Sequence, residues 1–275
     1  MQLELDNKIV HIGTGSGEHA PGARCVVFVH GAGFDHSVWV MQARYFARKG
    51  FNVLAVDLPA HGRSEGPALN TIEEMANWVV RVVSATHAIT PHESVAVVGH
   101  SMGSLVALCI AQTLTDEGRL GTGAGDQLAL DKLVLLGTSA PMPVGAVLLD
   151  AARDNDAAAI AMANTWSHSM QGRLGAAQIP GISNFVSGQR WIERMEEGVY
   201  YADFAACNAY EPTSDSVAAQ VLVLCGSEDR MTPIKSGQAV HELLTGSQLR
   251  VLAGSGHAMM AEQPNEVLDA LSEFL

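Results

Sequence analysis

The sequence has few basic residues and no long apolar run, and each shortage excludes a class of protein. Lys and Arg together number 16 against 29 Asp and Glu, so the formal net charge at pH 7 is −13. A surface this acidic repels phosphate backbones and anionic lipid headgroups, which argues against binding to nucleic acid or to a membrane surface. No uninterrupted apolar stretch approaches the roughly 20 residues that a membrane-spanning helix requires.

Cysteine is also scarce, and its spacing excludes the common cysteine motifs. The four cysteines form no C-x-x-C pair, which leaves no zinc or redox motif of that kind. Cys25, Cys109 and Cys225 each lie inside an apolar segment, where a free thiol behaves as a small buried hydrophobe. The opening residues, MQLELDNKIV, are charged and lack the apolar core of a signal peptide. We therefore expect a reduced, cytoplasmic protein.

Short apolar runs rich in Val and Leu recur along the chain, and each ends in Gly or a polar residue. After an opening hairpin around Asp6 and Asn7, these runs occupy residues 25–30, 52–57, 94–99, 131–137, 220–226 and 248–254. Such runs are typical of strands buried on both faces of a parallel sheet. Segments with helical spacing lie between them, at 37–49, 71–88, 101–116, 233–244 and 264–275. The alternation predicts a doubly wound, mostly parallel α/β sheet of eight strands.

One interval, residues 140–215, breaks this alternation because it is too long for a single crossover helix. Its composition is helical with loops, so we expect an inserted cap that covers the carboxyl edge of the sheet. Residues 1–139 and 216–275 would then form the core domain. A separate domain is less favoured, since the segment is short and interrupts the strand series. The glycine-rich stretch 117–127 lacks apolar periodicity and is expected to be an exposed connector.

The pentapeptide GHSMG, residues 99–103, places a serine between two glycines. At average glycine and serine usage, G-x-S-x-G arises by chance in roughly one chain of this length in ten, so the motif alone decides little. Its position is more informative, because Ser101 follows a predicted strand and precedes a predicted helix. At such a corner the serine takes a strained backbone conformation, and small residues at 99 and 103 avoid clashes across the turn. The pattern predicts that Ser101 is an exposed nucleophile.

A nucleophilic serine needs a base, and the sequence contains 11 histidines. We expect His257 to be the base, because it lies in the loop after the last strand, at the edge that Ser101 faces. A carboxylate should orient the His257 ring and stabilise its protonated form. Glu228 and Asp229 both follow the strand at 220–226. We prefer Asp229 and keep Glu228 as the alternative.

Five segments resemble the α/β-hydrolase superfamily in their order and spacing. They are HGAGFDHSVW (30–39), DLPAHGRS (57–64), GHSMG (99–103), GSEDRMTP (226–233) and GSGHAMMAEQP (254–264). The resemblance covers essentially the whole chain and implies the α/β-hydrolase fold, with its Ser, Asp, His order. It also implies that the backbone N–H groups of Ala32 and Met102 form an oxyanion hole. Other versions carry a larger residue or further glycines where Ala32 stands. The segment DLPAHGRS is expected to be structural; His61 and Ser64 are within reach of the pocket, but we assign neither to it.

The chemistry predicted from this set is acyl transfer without a cofactor. Ser101 attacks a carbonyl, His257 takes and later returns the proton, and water releases the acyl group. No metal-binding motif such as H-E-x-x-H is present. Family members that open epoxides or displace halide generally use Asp as nucleophile, so the serine argues against both. A histidine base also predicts that activity falls as the pH drops through roughly 6 to 7.

Substrate choice is expected to depend on the cap. We expect Phe34, Trp166 and Met260 to line an apolar pocket for the acyl or aryl group. Within 140–215, four Arg and no Lys stand against nine Asp and Glu, which disfavours polyanionic carriers. The sequence therefore predicts a serine hydrolase for small to medium, mostly neutral carboxylic esters, with a small molecule as its partner. It indicates no particular oligomeric state.

Two alternative functions stay open. One is a hydrolase that cleaves a carbon–carbon bond in diketone-like ring-cleavage products. That branch usually carries Asn where His100 stands and has a more glycine-rich oxyanion loop. The other is a ligand-binding homologue without catalysis, which the complete Ser–His–Asp set disfavours.

Overall fold

The strands of the protein form one eight-stranded sheet. The computed structural model describes residues 1–117, 129–154, 156–175, 183–213 and 215–275. The strands are β1 (Gln2–Leu5), β2 (Lys8–Gly13), β3 (Ala23–Val29), β4 (Asn52–Val56), β5 (His92–His100), β6 (Leu130–Leu136), β7 (Gln220–Gly226) and β8 (Gln248–Leu252). They are ordered β1-β2-β4-β3-β5-β6-β7-β8. The predicted strands all occur, with ends that differ by at most two residues.

Helices alternate with the strands. In the described ranges the α-helices are α1 (Val40–Arg48), α2 (Ile72–Ile89), α3 (Met102–Asp116), α4 (Ala146–Arg153), α5 (Ala157–Ser167), α6 (Met170–Arg173), α7 (Asn184–Ile192), α8 (Val199–Ala209), α9 (Ile234–Leu243), α10 (Met259–Glu262) and α11 (Pro264–Phe274). A short 3₁₀ turn, His36–Trp39, precedes α1. Among the described residues, no helix combines the length and the hydrophobicity of a membrane span.

The strand directions follow from the connections between them. Asp6 and Asn7 both have positive φ, 54° and 59°, which is the two-residue turn that joins antiparallel β1 and β2. β2 pairs antiparallel with β4, and the remaining neighbours pair in parallel. Parallel neighbours need crossover helices, and these helices cover both faces of the sheet. The predicted α/β fold class is confirmed.

The central strands are buried on both faces, as their continuous apolar runs predict. Val27 and Val29 of β3 pack on one side with α2 and α3, in a cluster that includes Leu105. Val26 and Phe28, one residue out of step, pack on the other side with α1 and α11. This period of two places alternate side chains in two separate cores, one on each face of the sheet.

The cap lies between β6 and β7, where the sequence predicts an insertion. Helices α4 to α8 occupy this interval, and α8 contacts α3 of the core. The predicted helical cap after strand 6 is therefore confirmed, whereas its borders at residues 140 and 215 stay a prediction. The predicted connector 117–127 lies, beyond Glu117, outside the described residues.

Candidate active site

Ser101 lies at the corner between β5 and α3, in the strained conformation that the pentapeptide predicts. Its φ is 54° and its ψ is −122°, and its N–H donates to the carbonyl of Leu136 at 2.9 Å. A Cβ on Gly99 would lie 2.0 Å from the carbonyl oxygen of Gly103, and a Cβ on Gly103 would lie 2.3 Å from that of Val29. The two glycines are therefore required by close backbone approaches, which set the serine at the sheet edge.

His257 and Asp229 form a buried hydrogen-bonded pair. The Nδ1 of His257 donates to Oδ2 of Asp229 at 2.7 Å, and the two residues are 3% and 6% exposed. The hydroxyl of Thr232 donates to the same oxygen at 2.8 Å, and the N–H groups of Met231 and Thr232 donate to Oδ1 at 2.8 Å. The carboxylate is thus held by four donors.

These contacts keep Asp229 ionised. Burial favours its neutral form, but the facing His257 and the hydrogen bonds from His257 and Thr232 outweigh burial and hold the pKa of this carboxyl below its ordinary value. Glu228, the alternative partner, is exposed and accepts instead from the N–H of Met170 in the cap at 3.2 Å. The geometry therefore favours Asp229 as the residue that orients His257.

The second ring nitrogen of His257 has no bonded partner. With Nδ1 donating to Asp229, Nε2 of the neutral ring carries the lone pair, and it is buried without a hydrogen bond to any described residue. The backbone of His257 is held by His100, whose Nε2 donates to its carbonyl at 2.9 Å. Burial and the neighbouring His257 ring lower the pKa of His100 to about 3, so His100 stays neutral and structural.

The two expected oxyanion donors lie in different segments, Ala32 in the loop after β3 and Met102 at the start of α3. The turn after β3 is closed by Phe34, whose N–H donates to the carbonyl of Gly31 at 3.2 Å, and the ring of His30 donates to the same carbonyl at 2.9 Å. In the described part of the chain, no acceptor bonds the N–H of Ala32 or that of Met102. Both donors are therefore available to a developing negative charge.

An apolar cavity of about 150 Å³ opens on Ser101. Its lining residues include Ala32, Ser101 and Met231 from the core and Met142, Leu148, Trp166 and Phe204 from the cap. Trp166, which the sequence predicts to line a pocket, thus lines this cavity. Phe34 and Met260 do not line this cavity. They line a smaller one of about 40 Å³ beside His257.

A family model described as "Alpha/beta hydrolase family" matches residues 26–270. The chain belongs to the alpha/beta hydrolase family. The match contains Ser101, Asp229 and His257 and spans the cap as well as most of the sheet.

The curated relatives of this alpha/beta hydrolase are distant. Protein ABHD8 of Mus musculus is 25% identical over 268 residues, which cover 90% of this chain and 54% of that protein. The chain thus spans about half the length of ABHD8. The non-heme chloroperoxidase of Burkholderia pyrrocinia is 26% identical over 249 residues, which cover 86% of each protein.

Solved structures establish the fold of this family member. The esterase EaEST from Exiguobacterium antarcticum matches with a TM-score of 0.78 at 18% identity, covering 98% of this chain and 97% of that one. Because one fold serves many chemistries, this likeness shows the architecture and leaves the reaction to be argued from the site.

One further cluster of this alpha/beta hydrolase has metal-ligating residue types. Candidate ligand atoms of His11, His36 and Asp57 lie within 4.8 Å of one another. However, Nδ1 of His36 donates to Oδ1 of Asp57 at 2.7 Å, and the N–H groups of His36 and Arg63 also bond this carboxylate. The pair is therefore occupied in closing the loops around β4, and we assign no metal to it. None of the three residues lines the cavity at Ser101.

Several cavity residues were missed by sequence reasoning. Leu148 and Phe204 lie on α4 and α8 among other apolar residues, and Met231 follows Asp229 in a loop. Their residue types alone do not separate a pocket wall from a packed cap, because both are apolar. One sequence signal could have identified Met231 as a cavity residue, namely its closeness to Asp229 in the sequence.

Proposed function

We propose that this chain is a serine hydrolase that cleaves carboxylic esters through an acyl-enzyme intermediate. The observation that carries the proposal is the buried His257–Asp229 pair, whose hydrogen bond of 2.7 Å leaves Nε2 of His257 unbonded. Ser101 stands at the strained corner that the fold uses for nucleophiles, and esterases are among its structural neighbours. Together these features support a nucleophile, a base and an orienting acid.

The proposed reaction has two steps of the same kind. The Oγ of Ser101 attacks the ester carbonyl while Nε2 of His257 takes its proton, and Asp229 stabilises the imidazolium. The carbonyl oxygen becomes negative and accepts from the N–H groups of Ala32 and Met102. The tetrahedral intermediate breaks its bond to the alcohol, which leaves with the proton from His257. Water, deprotonated by His257, then releases the acid and restores Ser101.

The cavity supports a small or medium substrate. Its walls at Met142, Leu148 and Trp166 are apolar, which suits an acyl or aryl group, and about 150 Å³ of free space limits the size of that group. We therefore expect short acyl esters to be turned over faster than long ones. Phe34 and Met260 are retained as expected substrate contacts, because their cavity adjoins His257.

A labelling experiment tests the nucleophile directly. A fluorophosphonate probe should modify Ser101, and mass spectrometry of the labelled peptide should locate it. Ser101→Ala should reduce kcat for p-nitrophenyl acetate by about 10⁵-fold or more and leave the melting temperature within a few degrees. Ser104→Ala, in the first turn of α3, is a matched hydroxyl deletion that should still be labelled at Ser101.

The same experiment separates the alternatives. Labelling together with turnover of a diketone substrate but not of p-nitrophenyl esters would favour the carbon–carbon bond hydrolase. A folded protein that is neither labelled nor active on either substrate would support the ligand-binding homologue and overturn the proposal.

A further inference from the structure

A carboxylate of the cap reaches into the core beside the oxyanion loop. Asp203 lies on α8 and is fully buried. Its Oδ2 accepts from the N–H of Gly33 at 2.8 Å and from Nε2 of His61 at 2.9 Å. One oxygen of the cap thus bonds two separate segments of the core.

The contacts of His61 are those of a ring that donates from both nitrogens. Its Nδ1 faces the carbonyl oxygen of Pro59 at 3.0 Å, and a carbonyl can only accept, so Nδ1 carries a proton. Nε2 faces a carboxylate and carries one as well. Burial would lower the pKa of His61, but the charge of Asp203 and the hydrogen bond to it outweigh burial and raise that pKa. The contacts and the raised pKa both favour an imidazolium that faces the carboxylate of Asp203.

The pair is poorly explained as a stabilising contact. Replacing a buried ion pair by apolar side chains is often neutral or stabilising, because desolvation offsets the attraction. Here Oδ1 of Asp203 is also buried without a hydrogen bond to any described residue, which adds a further cost. Because burial of this pair costs free energy of folding, we look for its role in the group that it orients.

The oriented group is the loop that carries Ala32. Gly33 has a φ of +74°, and a Cβ there would lie 2.8 Å from Met195 and from the ring of Tyr200, so the cap packs directly on this residue. The N–H of Gly33 donates to Asp203, and the preceding N–H, that of Ala32, donates to no acceptor among the described residues. Because consecutive peptide planes are linked through one Cα, holding the first restricts the second.

We propose that Asp203 and His61 are positioning residues that aim the N–H of Ala32 at the substrate oxyanion. Stabilisation of the oxyanion then requires a docked cap, since the carboxylate belongs to α8. This inference rests on the proposed esterase function. It predicts that substitution of Asp203 or His61 weakens stabilisation of the transition state, and so lowers kcat, more than it weakens substrate binding.

Asp203→Ala and Asp203→Asn test this role in the full chain. With p-nitrophenyl acetate, we expect kcat to fall about 100-fold in Asp203→Ala and about 10-fold in Asp203→Asn, which keeps an acceptor for Gly33. KM should stay within about threefold of the wild-type value. The inhibition constant of a trifluoromethyl ketone, which forms an oxyanion adduct on the serine, should rise by the same factor as kcat/KM falls.

Asp150→Asn is the matched control, because it removes one carboxylate charge from the cap at an exposed pair with Arg153. Its kcat should remain within twofold. His61→Gln, which keeps an N–H for Asp203, should lower kcat less than Asp203→Ala does. Since it retains that bond, it also tests the role if Asp203→Ala does not fold.

Two results would overturn the positioning role. One is a kcat in Asp203→Asn and His61→Gln equal to that of the control. The other is a loss confined to KM, with an unchanged inhibition constant. If either result is found while the wild-type protein turns over esters, the esterase function is still supported and only the positioning role is wrong. A wild-type protein that is neither labelled at Ser101 nor active on esters overturns both.

Discussion

Two buried histidine–aspartate pairs belong to the proposed site, and they differ in what the second ring nitrogen of the histidine contacts. In both, a ring nitrogen meets a carboxylate oxygen, at 2.7 Å for His257–Asp229 and 2.9 Å for His61–Asp203. The other nitrogen of His257 bonds to none of the described residues, whereas that of His61 donates to the carbonyl of Pro59. A base needs an unshared electron pair, and a ring that donates on both sides has none. The ring of His257 can therefore act as a base, whereas that of His61 cannot.

The largest expected difference in kcat comes from replacing the aspartate of each pair by asparagine. Asp229→Asn should lower kcat about 10⁴-fold, because an amide in place of the carboxylate favours the wrong tautomer of His257. Asp203→Asn should lower it about 10-fold. Steady-state kinetics on one ester measures both. Losses of equal size would show that the two pairs are not functionally distinct.

A smaller loss of kcat is expected from a substitution at Gly137, which leaves room for the ring of His257. Gly137 has a φ of +55°, and a Cβ there would lie 2.9 Å from Cε1 of His257. Gly137→Ala should displace the ring and lower kcat about 100-fold, with a destabilisation of about 1–3 kcal/mol. Gly22→Ala is a suitable control, because that glycine also has positive φ but a Cβ there meets nothing within 4 Å. Full activity in Gly137→Ala would contradict the assignment of His257.

The smallest effect concerns how stability depends on pH. The pKa of Asp229 is lowered, so its contribution is present at neutral pH and is lost only as the pH falls through that lowered value. The pKa of His61 is raised, so its contribution is complete below about pH 6.5 and is lost as the pH rises through the raised value. Urea unfolding of wild type and His61→Gln should show a stability difference that shrinks as the pH rises above about 6.5. A constant difference would argue against a charged His61.

Much of the fold could be predicted because its signals are local. Val- and Leu-rich runs that end in Gly or a polar residue locate β3, β5 and β7, and the two glycines around Ser101 mark a corner that tolerates no side chain. Asp229 and His257 could be predicted because both follow strands at the same sheet edge. In each case the residue type and its place in the element carry the information.

The second pair could not be predicted, for an equally physical reason. His61 and Asp203 are far apart in the sequence, and a single aspartate on a helix is usually a solvated residue. The sequence does indicate a structural role for His61, without its partner. Phe34 and Met260 show the same limit, since an apolar residue beside the site does not reveal which of two cavities it lines.

The carboxylate of Asp203 has a consequence for exchanging parts between relatives. Grafting a foreign cap onto this core would remove the acceptor for Gly33 and leave the imidazolium of His61 without its counterion. A chimera designed to alter specificity should therefore carry an acid at the place of residue 203, or replace the loop around 30–34 together with the graft.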